Sequence, residues 1–346
     1  MSFPLAEWID GHPDCRHNLS ISGMVGTIAA PRPSAAEVRR ADPVELRRLL
    51  SEDLRVPAER VFLTTGASQA NALALLFLGR AHRGESPARC RVCLPEYPPL
   101  FDTARESGFR VTEEEGSVEL AVVSQPRIPE GDLWDRSRLL DWASGARSLV
   151  VDETFREFAR ARSVLGTGRP HLWVTGSFTK FYGADDLRVG FVVAPAERTA
   201  EFARFHGHVT NQLAPYSVAG ATRALLDREA TRRAVVKILQ TNVAAARAAF
   251  PRLRVPDAPL FFDRLDTGEH GPALARRAVE RSVLVCAGTF FGDPTGVRIC
   301  LTRRSFPRDL MAYLAVRGRR PMDARGRGRS APRRPAGTVR AKAAPS

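Results

Sequence analysis

Lysine is almost missing from this chain. Of 52 basic residues among 346, only Lys180, Lys237 and Lys342 are lysine; the rest are arginine. Arginine replaces lysine as a charge but does not lose its proton to become a nucleophilic amine. Any chemistry that needs an amine side chain is therefore confined to three positions, and only Lys180 lies near the middle of the chain. Cysteine is scarce too. Five residues, Cys15, Cys90, Cys93, Cys286 and Cys300, are too few and odd in number for a disulfide scaffold, which predicts a reduced, cytoplasmic protein. No apolar run reaches the roughly 18 residues that span a bilayer. The opening MSFPLAEWIDGHPDC lacks a basic segment followed by an apolar one, so no signal peptide and no membrane association are expected. The composition, 44% hydrophobic and 26% charged, excludes collagen-like, coiled-coil and wholly disordered classes.

Acid is lacking only at the end. The net charge is +14, but Arg317 to Ser346 holds ten basic residues and one acid, Asp323. The preceding 316 residues carry 42 basic and 37 acidic side chains, a modest excess. Residues 319–346, rich in Arg, Pro, Gly and Ala, cannot bury enough apolar surface to fold and are predicted to be a disordered basic tail. Weak, salt-sensitive contact with nucleic acid is the most such a tail supports.

Residues 1–42 read as irregular. The spacing Val44, Leu46, Leu49, Leu50, Leu54 predicts a helix with Asp42 as N-cap and Pro43 in its first turn. Apolar, strand-like runs then alternate with helical ones: 61–66, a helix over 67–82, 91–95, a helix over 98–107, 109–113, 120–126, a helix over 132–144, 148–153, 171–177 and 187–195. Such alternation predicts a mostly parallel sheet covered on both faces. After Pro215 a long helical stretch runs to about Phe250, broken near Asp227. Shorter strands at 259–265, 283–288 and 297–302 follow, with helices at 272–282 and 307–316. These predict a smaller α+β unit joined by the N-terminal segment.

Three clusters carry chemistry. In TTGAS (64–68), Gly66 joins a strand to a helix whose first residues are Ala67 and Ser68, offering N–H groups, a hydroxyl and a dipole to an anion such as phosphate. In SFTKFYGADDLRVG (177–190), Ser177 and Thr179 flank Lys180, and Arg188 follows; two hydroxyls and a guanidinium make the second half of a phosphate cradle. In VVDETF (150–155), Asp152 and Glu153 end an apolar strand. A buried acid there needs a cationic partner: Arg188, Arg156 or the protonated ring nitrogen of a heteroaromatic cofactor. An amine, a phosphate cradle and such an acid are what pyridoxal 5′-phosphate requires of a protein. Elsewhere, Cys90 and Cys93 lack further ligands, and Cys93 reads as core. His206 and His208 read as a solvated helix end, so no metal site is expected. Tyr182 reads equally as pocket lining or packing.

The sequence resembles a fold type I pyridoxal-phosphate enzyme of the class I/II aminotransferase family, in the manner of histidinol-phosphate aminotransferases and threonine-phosphate decarboxylases. The likeness runs in the family's order through LTTGASQANAL, LPEYPPLFDTARESG, VVDETFREF, SFTKFYGADDLRVG and GTFFGDPTGVRICLT. It implies an α/β fold with a mostly parallel seven-stranded sheet and a smaller α+β domain. The units implied are an N-terminal segment (1–50) covering the active site, a cofactor domain (51–235), a small domain (236–318) and the basic tail (319–346). It implies that Lys180 holds pyridoxal phosphate covalently and then moves a proton, and that Asp152 keeps the ring nitrogen protonated. Gly66, Ala67 and Ser68 would bind phosphate with Ser177, Thr179 and Arg188; Tyr97 would stack on the ring and Arg298 would bind the substrate α-carboxylate. The substrates implied are an α-amino acid, or an amino-acid-like phosphate, and a 2-oxo acid, handled by a homodimer.

Three positions depart from the family pattern. Ile128, in SQPRIPEG, stands where Asn is common before Pro, and Phe155 stands where Tyr commonly follows the aspartate by three residues. Both missing groups would donate to the cofactor's phenolic oxygen. The lysine loop reads Ala-Asp-Asp-Leu-Arg where Pro-Gly-Leu-Arg is usual. Decarboxylase, lyase or oxidase chemistry on the same scaffold is the alternative to amino transfer. A regulatory or nucleic-acid-binding protein using the tail is a more distant one.

Overall fold

Short, mostly apolar runs make the strands of the large sheet, and the segments between them make the helices. The computed structural model describes residues 4–82, 87–266 and 269–318; the basic tail predicted for 319–346 lies outside the described residues. In chain order the strands are β1 (His17–Asn18), β2 (Val61–Thr64), β3 (Arg89–Val92), β4 (Arg110–Thr112), β5 (Val118–Ser124), β6 (Ala146–Asp152), β7 (Leu172–Ser177) and β8 (Gly190–Val193), followed by β9 (Leu260–Arg264), β10 (Val283–Leu284), β11 (Cys286–Ala287) and β12 (Gly296–Cys300).

The large sheet has seven strands in the order β2-β8-β7-β6-β5-β3-β4. All its neighbours are parallel except β8, which runs antiparallel to both β2 and β7. Alternate residues of one strand serve opposite faces. Ala121, Val123, Leu149 and Val151 join the core that includes Leu46 and Leu50 from the helix Pro43–Leu54. Leu120, Val122 and Val150 join the other core, with Leu73 and Phe77 from the helix Ala67–Gly79. Both faces are thus covered, as continuous apolar strands demand. The smaller sheet is antiparallel, in the order β11-β12-β9. Beside it β10 pairs in parallel with β1, which ties the N-terminal segment to this unit.

Most boundaries follow the sequence pattern. Asp42 caps the helix Pro43–Leu54 by accepting from the Val44 N–H at 2.8 Å. The long helical stretch breaks at Asp227 into Pro215–Leu226 and Arg228–Ala249. The reading of residues 1–42 as irregular is corrected by two short helices, Pro4–Asp10 and Ala35–Arg39. The second is fixed by a capping box in which Ser34 and Glu37 each accept from the other's backbone N–H. The strand expected over 187–195 narrows to Gly190–Val193, since Arg188 turns the chain at φ +48°. Among the described residues no helix is long and apolar enough to cross a membrane.

Candidate active site

The carboxyl ends of β5, β6 and β7 stop at Ser124, Asp152 and Ser177, and ligands of open α/β sheets gather there. A cavity of about 280 Å³ opens at this edge, lined by Ser124, Asp152, Ala67, Ser68, Thr179 and Lys180 from the large unit and by Arg298 from β12. Ser20 to Gly23 of the N-terminal segment complete the wall.

Gly66 precedes the helix Ala67–Gly79 at φ +92°, a conformation that favours glycine. A Cβ there would stand 3.0 Å from the Arg188 guanidinium, so the backbone turn and the arginine share one small space. Ser177 Oγ lies 3.0 Å from Thr179 Oγ1 and accepts from the Thr179 N–H at 3.1 Å. Ala67 and Ser68 at the helix N-terminus, Thr179 and Arg188 line the cavity and make a donor set that suits a phosphate, whereas Gly66 and Ser177 lie outside the lining and the Ser177 hydroxyl donates to the Val189 carbonyl at 3.2 Å.

Asp152 is buried. Its Oδ2 accepts from Asn71 Nδ2 at 2.8 Å and its Oδ1 from the Thr154 N–H at 2.8 Å. Asn71 is held in turn by Thr175, whose hydroxyl donates to its Oδ1 at 2.5 Å. Burial pushes the Asp152 carboxyl above its ordinary range, while the hydrogen bonds and the Lys180 charge pull it back. Of the cations weighed as partner for the acids ending this strand, Arg156 pairs with Glu153 at 3.7 Å and with Asp53 at 2.6 Å, not with Asp152. Asn71 escaped the sequence reading, although a polar residue inside an Ala/Leu run was its signal.

Lys180 follows β7, half-buried against the N-terminal segment. Its carbonyl accepts from the Met24 N–H at 2.8 Å, and a Cβ on Gly23 would lie 3.2 Å from its Cα and Cδ. Burial lowers the pKa of its ammonium; Asp185 opposes that shift and Arg298 adds to it. Tyr97 precedes the helix Pro98–Glu106 and hydrogen-bonds Ser68; its hydroxyl is pushed up to about 12 by burial and by the Asp152 charge. Arg298 sits on the middle strand of the small sheet rather than on an edge. Its Nη2 donates to the Ser20 carbonyl at 2.7 Å and lies 3.2 Å from Cys286 Sγ, while its buried Nε has no partner among the described residues. Ile128 and Phe155 are buried in the cavity wall within one apolar cluster that includes Leu5.

One further position, His206, differs from expectation, and Tyr182 takes one of its two readings. His206 is not a solvated helix end: its ring lies 2.9 Å from the Leu63 carbonyl and packs on Phe62 and Phe202. Tyr182 packs, stacked on Phe178 and hydrogen-bonded by Arg228. Among the described residues no cluster of His, Cys, Asp or Glu could hold a metal.

The sequence profile described as aminotransferase class I and II matches residues 43–306. The chain belongs to that family. It is 28% identical over 174 residues to an aromatic amino acid aminotransferase of Rhodococcus erythropolis, covering 48% of each chain. It is 25% identical over 284 residues to histidinol-phosphate aminotransferase 1 of Nitrosococcus oceani, covering 75% of each. A threonine-phosphate decarboxylase of Pseudomonas aeruginosa is 29% identical over 200 residues, 54% of this chain and 57% of that one. Two of these three matches thus span about half of the relative's own length. A solved structure of a probable N-succinyldiaminopimelate aminotransferase from Thermus thermophilus shares the fold, with a TM-score of 0.72 at 21% identity over 92% of this chain and all of that one. The chain is therefore an enzyme of fold type I whose cofactor is pyridoxal 5′-phosphate, and its family supports aminotransferase activity. The cavity fits that cofactor on its own terms. It offers an amine beside a helix N-terminus where glycine leaves room against an arginine, and a buried acid at the end of the adjacent strand.

Proposed function

We propose that this enzyme moves an amino group between an α-amino acid, or an amino-acid-like phosphate, and a 2-oxo acid, as a cytoplasmic homodimer. The observation that carries the reading is the convergence of Lys180, Asp152 and Arg298 on one cavity. In this reading residues 51–235 carry the cofactor, 236–318 form the small domain and 1–50 cover the site. The helix N-terminus at Gly66, Ala67 and Ser68 holds the phosphate with Ser177, Thr179 and Arg188, and Tyr97 faces the ring. Bound pyridoxal phosphate supplies an electron sink for the bond broken at the substrate Cα. Asp152 holds a proton on the ring nitrogen; a carboxylate accepting two hydrogen bonds, in a buried place, does this best when a cation faces it. Arg298, already fixed by the Ser20 carbonyl, orients the α-carboxylate. Lys180 Nζ, whose ammonium burial disfavours, would take the proton from the substrate Cα and hold it for return within the same cavity.

The test is turnover with pooled amino acids labelled at the amino nitrogen and unlabelled 2-oxo acids, followed by mass spectrometry. Label appearing in new amino acids supports transfer. Loss of carbon dioxide or free ammonia without transfer would move the reading to a decarboxylase or lyase.

A further inference from the structure

Asp185 is a carboxylate in the active cavity that the proposed function leaves without a task. It lies in the loop between β7 and β8, five residues after Lys180, in the stretch where the resembling pattern reads Pro-Gly instead of two acids. It lines the same cavity as Lys180 and Arg298. Its Oδ1 is buried and has no hydrogen-bond partner among the described residues. An unpaired buried carboxylate oxygen is costly, so the site is built for a donor that arrives with the ligand.

The cations nearby do not supply that donor. On the proposed function, Lys180 is taken by the cofactor, Arg188 by its phosphate and Arg298 by the substrate carboxylate. Once those three positive charges are matched, Asp185 is the charge left over. Part of the cavity wall is apolar, including Leu5, Ile9, Ile21 and Val25, and the rest of its uncharged polar lining is hydroxyl side chains such as Ser22 and Thr154. A methylene stem lies well on such a wall while its charged end seeks a counter-ion. We propose that Asp185 is a specificity-determining residue that selects amino substrates whose side chain ends in a cation, an ammonium or a guanidinium. This rests on the proposed function, since it assumes that the cofactor and the α-carboxylate occupy their stated places.

The experiment uses the holoenzyme and ligands that bind without turning over. α-Methylornithine, α-methylarginine and the near-isosteric neutral α-methylcitrulline all lack the Cα proton, and their affinities can be measured by calorimetry. The visible band of the bound cofactor is recorded in the same samples. At least one cationic ligand should bind about tenfold tighter than the citrulline analogue, and Asp185→Asn should bring the ratio to within about twofold. The variant should keep the visible band. Equal affinities in the wild type overturn the proposal, and that comparison stands even if the variant fails to fold. A preference that persists in Asp185→Asn overturns it as well. If Asp185→Asn changes only the pH response of the band and not the charge preference, Asp185 serves Lys180 and the proposal is wrong. A wild type with no band overturns the proposed function and this inference together, whereas a normal band with equal affinities overturns this inference alone.

Discussion

Ile128 and Phe155 put apolar surface where the family pattern implied by the resemblance would have an amide and a phenol, and both lie buried in the cavity wall. Donors at those places would stabilise the cofactor's phenolate and so ease loss of the proton it shares with the neighbouring nitrogen. Without them that proton is held more tightly, because hydrogen bonding favours the form it contacts. The double variant Ile128→Asn with Phe155→Tyr should lower the pH midpoint of the visible band by roughly one unit, the worth of about one hydrogen bond. A spectrophotometric pH titration checks this, and an unchanged or higher midpoint in a folded, loaded variant contradicts it. At this scale the sequence is informative where chemistry allows few residue types. An amine requires lysine, and only three exist. It is silent where a partner is chosen by packing: Asp152 is met by Asn71 rather than an arginine, because a helix and two strands bring the amide, the carboxylate and Thr175 together.

Between residue and fold stand the loops that hold the cavity walls. Glu96 and Arg127 form a fully buried ion pair linking the segment after β3 to the segment after β5. Glu96 also accepts from the Tyr97 N–H at 2.6 Å, the Ser124 N–H at 2.9 Å and the Ser124 hydroxyl at 2.6 Å. Arg127 donates to the Pro95 carbonyl at 2.7 Å. The pair therefore clamps together the loops that carry Tyr97 and Ile128. Arg127→Met should cost about 3–5 kcal/mol by leaving a buried carboxylate unpaired. Burial pushes the Glu96 carboxyl up, and Arg127 opposes that shift. In the variant the folded state then binds the proton more tightly than the unfolded chain, whose carboxyl titrates near 4.3. Stability relative to the wild type should be best below that pH and fall as pH rises through the raised range. Urea midpoints of both proteins across that range test the sign; a deficit that shrinks with rising pH contradicts it. The elements were readable from periodicity, but this clamp was not. Glu96 and Arg127 are ordinary charged residues in sequence and become a pair only when two parallel strands align their ends.

For the whole molecule, the alternation of apolar strands with helices was enough to indicate the sheet, because a parallel sheet buried on both faces leaves continuous apolar runs. The helices Pro4–Asp10 and Ala35–Arg39 were hidden by their length: one or two turns carry too little periodicity to read, and tertiary contacts hold them in place. The site itself is assembled from distant parts of the chain. Residues 20–23, 67–68, 152, 180 and 298 meet only because the small sheet and the N-terminal segment pack over the carboxyl ends of the large one. That assembly is a claim about one amine. Lys237 is exposed on the helix Arg228–Ala249 and does not line the cavity, so of the two lysines among the described residues only Lys180 stands where the proposed function puts the cofactor. The direct measurement is to load the purified protein with pyridoxal phosphate, record its visible band, reduce it with borohydride and map the adduct by peptide mass spectrometry. The account predicts a band that reduction abolishes and a single modified residue, Lys180. An adduct on Lys237, or no band from protein in which Lys180 is intact, would contradict it.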